Sequence, residues 1–139
     1  MSDVLVIGGG LAGVEAAWAL ANSGVSVTIA ANAGIPVTLY EMKPKKFSPA
    51  HKSEKPAELV CSNSLKAERV GSAAGLLKAE MELLGSLCVE CAKKCSVPAG
   101  GALAVDRKAF SAYITEKLRK TPLVEVVEKE ADSLPSDGV

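Results

Sequence analysis

The sequence lacks the features that mark membrane-spanning, secreted or strongly charged proteins. No apolar run approaches the ~18 residues that a transmembrane helix needs, and the first apolar segment begins at Val4, too early to leave room for a signal peptide. Basic and acidic residues number 16 each, so the zero net charge gives no support for a strongly basic nucleic-acid module. Aromatic residues make up only 4%, so no base-stacking surface is evident. These absences predict a cytoplasmic protein with no membrane partner, and its four cysteines are expected to be reduced thiols.

The composition nevertheless supports a packed core. Hydrophobic residues make up 48% of the 139 residues, which excludes a disordered chain and suits one modest domain or part of a larger one. The chain ends in a polar stretch where a dinucleotide-binding domain normally has more strands to come. We therefore interpret residues 1–139 as the N-terminal part of a longer protein.

A glycine-rich motif follows the first apolar segment. Residues 4–7 suit a buried strand, and Gly8, Gly10 and Gly13 then stand in the G-x-G-x-x-G spacing before an apolar helix predicted from Leu11 to Ser23. The first glycine allows the tight turn, the second lets backbone approach a pyrophosphate, and the third lets the helix lie close to the strand. The diphosphate would meet free N–H groups at the helix N-terminus. Because strand and helix flank the motif, it predicts a dinucleotide site rather than a ligand-free turn.

The segment after this helix is nearly duplicated. Residues 21–29 and 31–39 agree at five of nine positions, with an offset of ten. A dinucleotide fold places an acid roughly 20 residues beyond the glycines, where it binds a ribose hydroxyl. Glu41 follows the second copy but stands about ten residues late, and Ala31 at the matching place in the first copy cannot bind a hydroxyl. Either the second copy pairs in the sheet and the first is an insertion, or the first copy pairs and the acid is displaced. We favour the second copy, with Glu41 as the ribose ligand or, alternatively, as a solvated acid at the strand end.

A polar, proline-rich loop is predicted over residues 43–57. Its lysines either keep the loop solvated or face the phosphates of a cofactor or RNA. The sole histidine, His51, lies here and is more typical of a structural residue than of a catalyst.

Cys61 follows this loop and precedes a Ser-Asn-Ser cluster that we expect to cap a helix starting near Leu65. A helix N-terminus favours the thiolate, so Cys61 is either a nucleophile or base, or a small buried hydrophobe.

A helical insertion is predicted over about residues 62–96, because residues 65–95 carry an apolar stripe at helical spacing. Cys88, Cys91 and Cys95 share one helical face, but three thiols without a fourth ligand make a poor zinc site, so no metal is predicted.

Asp106 is expected to cap a helix from about Arg107 to Arg119, followed by a strand over residues 123–127. This order implies an α/β fold: an incomplete Rossmann-like parallel sheet with a helical insertion.

Several longer blocks resemble one family. They are residues 7–13, 38–44, 50–52, 58–65 and 97–107, and they look like the start of TrmFO, the folate- and FAD-dependent tRNA (uracil-5-)-methyltransferases. The Cys-Ser-Asn-Ser block and the block at 98–107 are much more specific than the glycine triplet. The chain departs from the family by its duplication and by stopping at about a third of the usual length.

The resemblance implies an FAD-binding enzyme that methylates uracil C5 in the T loop of tRNA. Methylenetetrahydrofolate would supply the carbon, and FAD recharged by NADH or NADPH the reducing equivalents. By the same resemblance Cys61 matches the first of two active-site cysteines, as nucleophile, base or protective group, and the second would lie beyond Val139. Activity is therefore expected of the longer protein rather than of this stretch by itself.

The resemblance also implies which residues hold the cofactor. The glycine loop and Glu41 would bind the FAD pyrophosphate and ribose, and Ser62 and Asn63 would line the flavin side. A valine of the strand over residues 124–127 would touch the adenine. The loop residues are Gly8, Gly9, Gly10, Leu11, Ala12 and Gly13. The alternatives are another FAD-dependent tRNA-modifying enzyme or oxidoreductase, and a non-catalytic nucleotide-binding fragment.

Overall fold

The computed structural model describes residues 4–23 and 36–133, which form six strands and four helices. In chain order they are β1 (Val4–Ile7), α1 (Leu11–Ala21), β2 (Val37–Tyr40), β3 (Ser64–Ala67), α2 (Ala73–Leu83), α3 (Leu87–Lys94), β4 (Ser96–Val97), β5 (Ala102–Val105), α4 (Arg107–Lys120) and β6 (Val124–Val127). None of the described helices has the length and apolar character needed to cross a membrane.

The main sheet is parallel, with strand order β1-β2-β6. Val37 at the start of β2 stands opposite Val4 on one side and Val124 on the other, so the three strands begin and end level with one another. The carboxyl ends of all three strands therefore meet at one edge, which is where open α/β sheets bind ligands. The predicted parallel sheet is confirmed.

The second copy of the duplicated segment provides β2, as expected. Val37 and Leu39 are buried in the centre of the main sheet, and Tyr40 at the end of the strand pairs with Ile7 and Val127. Residues 24–29 of the first copy lie outside the described residues. The helix before them, α1, ends at Ala21 rather than at Ser23, and Asn22 is its C-cap.

The region predicted as one helical insertion is more varied than expected. Its first part is not helical: β3 pairs with β5 in a second, antiparallel sheet of order β3-β5-β4. The helical part is divided in two, because Gly85 takes a positive φ of 75° and ends the first helix. Ser86 then caps α3, its hydroxyl accepting the Val89 N–H at 3.2 Å. The prediction of a helix starting near Leu65 is wrong, since pairing between distant strands overrides the local helical pattern.

Helix α4 agrees closely with its prediction. Asp106 caps it, and its carboxylate accepts the Ala109 N–H at 2.9 Å. The helix packs against β6, α1 packs against β2, and α3 contacts both helices. The largest fully buried side chains come from these elements and from β5: Phe110, Leu39, Leu87, Leu103, Ile114, Leu118, Val14, Val105 and Cys91. This single core holds the carboxyl edge of the main sheet in place.

Candidate functional site

The glycine loop joins β1 to α1 through a tight turn. Gly8 has a φ of 101°, which side chains other than glycine rarely adopt, and its N–H donates to the Tyr40 carbonyl at 2.9 Å. At Gly13 the helix lies so close to the loop that an added Cβ would stand 1.8 Å from the Gly8 carbonyl oxygen. Both glycines therefore have the structural roles that the motif predicts.

Gly10 differs from these two glycines because its α-carbon faces open space. A Cβ added there would meet no heavy atom within 4 Å. Gly10 is also the N-cap of α1 and has no side chain to satisfy the first N–H groups of the helix. Those donors and the positive end of the helix dipole are suited to an anionic group brought against the bare backbone.

Glu41 lies at the carboxyl end of β2 and is nearly buried, at 6% exposure. Its carboxylate accepts the Gly9 N–H at 3.0 Å through one oxygen and the Lys43 N–H at 2.9 Å through the other. An ionised carboxylate has about four lone-pair sites, so acceptor capacity remains after these two bonds. Although Glu41 stands late in the sequence, it directly follows the paired strand β2, because that strand comes from the second copy.

The glycines and Glu41 line one cleft of about 340 Å³, the glycine cleft. Ile7 at the end of β1 contributes an apolar side chain that is 47% exposed. Further lining residues come from the segment after β6 and from the 43–58 loop. The lining residues are Ile7, Gly8, Gly9, Gly10, Tyr40, Glu41, Met42, Lys43, His51, Glu58, Lys129, Glu130 and Ala131.

The 43–58 loop is fixed by a buried lysine that the sequence pattern did not reveal. Lys43 is only 3% exposed, whereas Lys45 and Lys46 are exposed. Its ammonium donates to the Lys55 carbonyl and lies 3.9 Å from the Glu58 carboxylate. Lys43 follows Glu41 by two residues, and this proximity to the strand end is the one signal that distinguishes it from the other lysines of the loop.

Glu58 also anchors the loop. Its carboxylate accepts the backbone N–H groups of Lys52 and Ser53 at 2.9 and 3.1 Å. Burial opposes ionisation, but these two hydrogen bonds and the Lys43 ammonium outweigh it and lower the pKa of Glu58. Glu58 therefore stays ionised and holds the loop beside the glycine cleft.

His51 lies in the same loop and lines the glycine cleft, with its Nδ1 2.6 Å from the Ser48 hydroxyl. This hydrogen bond agrees with the structural interpretation of the residue. Its place in the cleft wall was not evident from the sequence, since a single histidine in a polar loop has no pattern that locates it.

Cys61, Ser62 and Asn63 do not line the glycine cleft. Cys61 is exposed, and its carbonyl accepts from the Arg107 guanidinium at 3.5 Å. Ser62 accepts the Ser64 N–H at 3.1 Å. Asn63 exchanges hydrogen bonds with Val105: its carbonyl accepts the Val105 N–H at 2.9 Å and its amide donates to the Val105 carbonyl at 3.2 Å. Their assignment to the flavin side stays a prediction.

The helix expected after Cys61 is absent, so the argument that a helix N-terminus favours its thiolate is wrong. Residues 64–67 form β3 instead, and the Ser-Asn-Ser cluster makes a turn and a strand contact rather than a cap. What remains in favour of a reactive Cys61 is its exposure, which the other cysteines of the chain do not share.

The other three cysteines, two in α3 and Cys95 at its C-cap, are packed thiols. Cys91 is fully buried, and burial raises its pKa to about 12. Burial also raises the pKa of Cys88, with the Glu15 carboxylate adding to the effect, and that of Cys95. Thiols that stay protonated are poor nucleophiles and poor metal ligands. Among the described residues no three histidine, cysteine or acidic side chains are grouped to hold a metal ion.

The parallel sheet, the glycine loop at its carboxyl edge and the acid after β2 define a Rossmann-type fold, the class that binds dinucleotides. The chain belongs to the family described as "Glucose inhibited division protein A", whose model matches residues 3–139. The fold agrees with a crystal structure of Aquifex aeolicus GidA at a TM-score of 0.66, covering 91% of this chain and 19% of that one at 18% identity.

Curated relatives named TrmFO confirm the resemblance to that family. The protein "Methylenetetrahydrofolate--tRNA-(uracil-5-)-methyltransferase TrmFO" of Aquifex aeolicus is 55% identical over 136 residues, which is 98% of this chain. Those of Ligilactobacillus salivarius and Geotalea uraniireducens are 54% and 55% identical, each over 96% of this chain. The chain spans 28% of the length of each of these three relatives.

Proposed function

We propose that the chain is the FAD-binding beginning of an enzyme that methylates uracil C5 in the T loop of tRNA, with methylenetetrahydrofolate as the carbon donor. The observation that carries the proposal is 55% identity to a TrmFO over 98% of the chain. Because the similarity covers 98% of the chain, it takes in both the glycine cleft and the Cys-Ser-Asn-Ser block, so the site and the chemistry are proposed together.

The glycine cleft fits the adenosine diphosphate half of FAD. The pyrophosphate would lie against the open face of Gly10 and the N-terminus of α1, with Leu11 and Ala12 in the first turn. The remaining lone pairs of Glu41 would accept ribose hydroxyls. The segment after β6 forms the wall of the cleft where the adenine would lie, beside Val127.

The rest of the reaction is assigned to residues beyond this cleft. Bound FAD, reduced by NADH or NADPH, would supply the reducing equivalents that convert the transferred methylene to a methyl group. Uracil C5 is a weak nucleophile until a group adds to C6, and an exposed thiolate suits that addition. Cys61 is proposed for this role, for removal of the C5 proton, or for protection of the site. Ser62 and Asn63 would lie on the flavin side.

Methylation by the full-length protein tests the proposal. With FAD, methylenetetrahydrofolate and NADPH present, the wild type should form 5-methyluridine in the T loop of a tRNA transcript. Cys61→Ala should lose at least about a hundredfold in rate, because nucleophiles and general bases each contribute about 10²-fold or more.

The matched control for this assay is Cys95→Ala. Cys95 is a half-buried thiol at the end of α3, so its loss should leave the rate within about twofold. Equal rates for Cys61→Ala and wild type would remove Cys61 from the chemistry. A flavin-loaded wild type that never methylates the transcript would overturn the proposed reaction.

A further inference from the structure

A second cleft, of about 300 Å³, shares Glu58 with the glycine cleft but none of its other lining residues. Three cations line it: Lys52 from the loop, and Arg107 and Lys108 from the first turn of α4. Leu59 and Val60 contribute apolar surface, and Val60 is 46% exposed. We call it the cationic cleft, and the glycine site described above does not account for its charge.

The three cations of this cleft have no ion-pair partner among residues 4–23 and 36–133. The one acid in the lining is Glu58, whose carboxylate is already engaged by the backbone N–H groups of Lys52 and Ser53. The lining therefore has an excess of two positive charges. Uncompensated cations converging from two elements are suited to an anionic ligand.

The two elements that carry the cations are fixed relative to each other. The buried Ser111 hydroxyl of α4 donates to the Pro56 carbonyl, and the Ala57 N–H donates to the Gly9 carbonyl at 2.7 Å. The loop is thus tied both to α4 and to the glycine loop. The cationic cleft is a formed feature of the fold, not a chance approach of free side chains.

The cationic cleft also adjoins Cys61. The Arg107 guanidinium, which lines the cleft, donates to the Cys61 carbonyl. Cys61 directly follows Val60 in the cleft wall. A ligand held by Lys52, Arg107 and Lys108 would therefore have its neighbouring groups beside the exposed thiol.

We propose that the cationic cleft binds backbone phosphates of the RNA substrate and so brings the target nucleotide towards Cys61. The inference rests on the proposed function, because it takes the partner of Cys61 to be RNA. Guanidinium and ammonium groups spread over two elements suit a phosphodiester strand, which carries one charge at every nucleotide. A folate carboxylate is the competing occupant, and the test separates the two.

The test measures binding of a labelled tRNA transcript by fluorescence anisotropy over about 50–200 mM salt, using the full chain and a Lys52→Gln/Lys108→Gln variant. Removing two phosphate contacts should weaken binding about tenfold or more at low salt. It should also reduce the slope of log K against log salt by about 0.7–0.9 per contact. The matched control is Lys45→Gln, an exposed lysine outside the cleft and without an ion pair among the described residues, which should change neither quantity.

FAD binding is measured for every variant, so that failure of this inference is distinguished from failure of the proposed function. The double variant should bind FAD like the wild type, since neither lysine lines the glycine cleft. Wild-type RNA affinity and salt slope in the double variant would overturn the cationic cleft as an RNA site while leaving the FAD proposal intact. Loss of affinity for pteroylpolyglutamate in the double variant, with unchanged affinity for RNA, would likewise overturn the cationic cleft as an RNA site.

Discussion

The Gly13→Ala variant should be strongly destabilised, by about 3 kcal/mol or more. Its Cβ would stand 1.8 Å from the Gly8 carbonyl oxygen and 3.0 Å from the carbonyl carbon, and these backbone atoms have no alternative rotamer. Relief requires α1 to move away from the loop, but Val14 and Ala17 of that helix are fully buried. Overpacking usually costs about 1–3 kcal/mol, and a rigid backbone neighbour places this case at or above the upper end.

Thermal unfolding followed by circular dichroism measures the effect. For a chain of this size about 3 kcal/mol corresponds to a fall in Tm of about 10 °C. Gly10→Ala is the matched control, because Gly10 has an ordinary φ of −71° and open space around its α-carbon. An N-cap change of this kind costs about 1 kcal/mol at most. Equal melting temperatures for the two variants would contradict the close approach of α1 to the glycine loop.

Glu41→Ala should weaken FAD binding by about tenfold to a hundredfold or more. The variant removes the proposed ribose acceptor and also the acceptor of the Gly9 and Lys43 N–H groups. Hydrogen bonds to a charged group contribute about 1.5–3 kcal/mol each, and loss of the Gly9 bond loosens the loop that would meet the pyrophosphate. Flavin fluorescence titration gives the dissociation constant for each variant.

Two further variants are compared with Glu41→Ala in the same FAD-binding titration. Glu41→Gln keeps one carbonyl acceptor but turns an NH₂ towards a backbone donor, so its affinity should fall between wild type and Glu41→Ala. Glu116→Ala removes an exposed acid that pairs with Lys120 on α4 and should bind FAD like the wild type. Wild-type affinity in a folded Glu41→Ala protein would exclude Glu41 from the cofactor site.

The features predictable from the sequence were those fixed by short-range patterns. The glycine spacing between an apolar strand and a helix located β1, the loop and α1. Asp106 located the start of α4, because a capping side chain acts within three residues of its partner. The second copy of the duplicated segment was favoured as β2 because only that copy is followed by an acid.

The features missed depend on contacts between distant residues. β3 forms because Ser64 pairs opposite Ala104, and the local sequence of residues 64–67 does not indicate that partner. The burial of Lys43 depends on Lys55 and Glu58 folding back over it. The cationic cleft likewise joins Lys52 to a helix that begins at Arg107, so it could not be read from either segment alone.

The glycine cleft is tested most directly by an FAD titration of the purified chain beside its Gly10→Ala variant. We expect one FAD per wild-type chain, with a flavin absorption band that survives gel filtration. The Gly10→Ala chain should be folded and colourless, because the added methyl group occupies the space where backbone meets the pyrophosphate. A folded wild-type chain that takes up no FAD, or a Gly10→Ala chain that binds it equally well, would contradict the glycine cleft as the cofactor site.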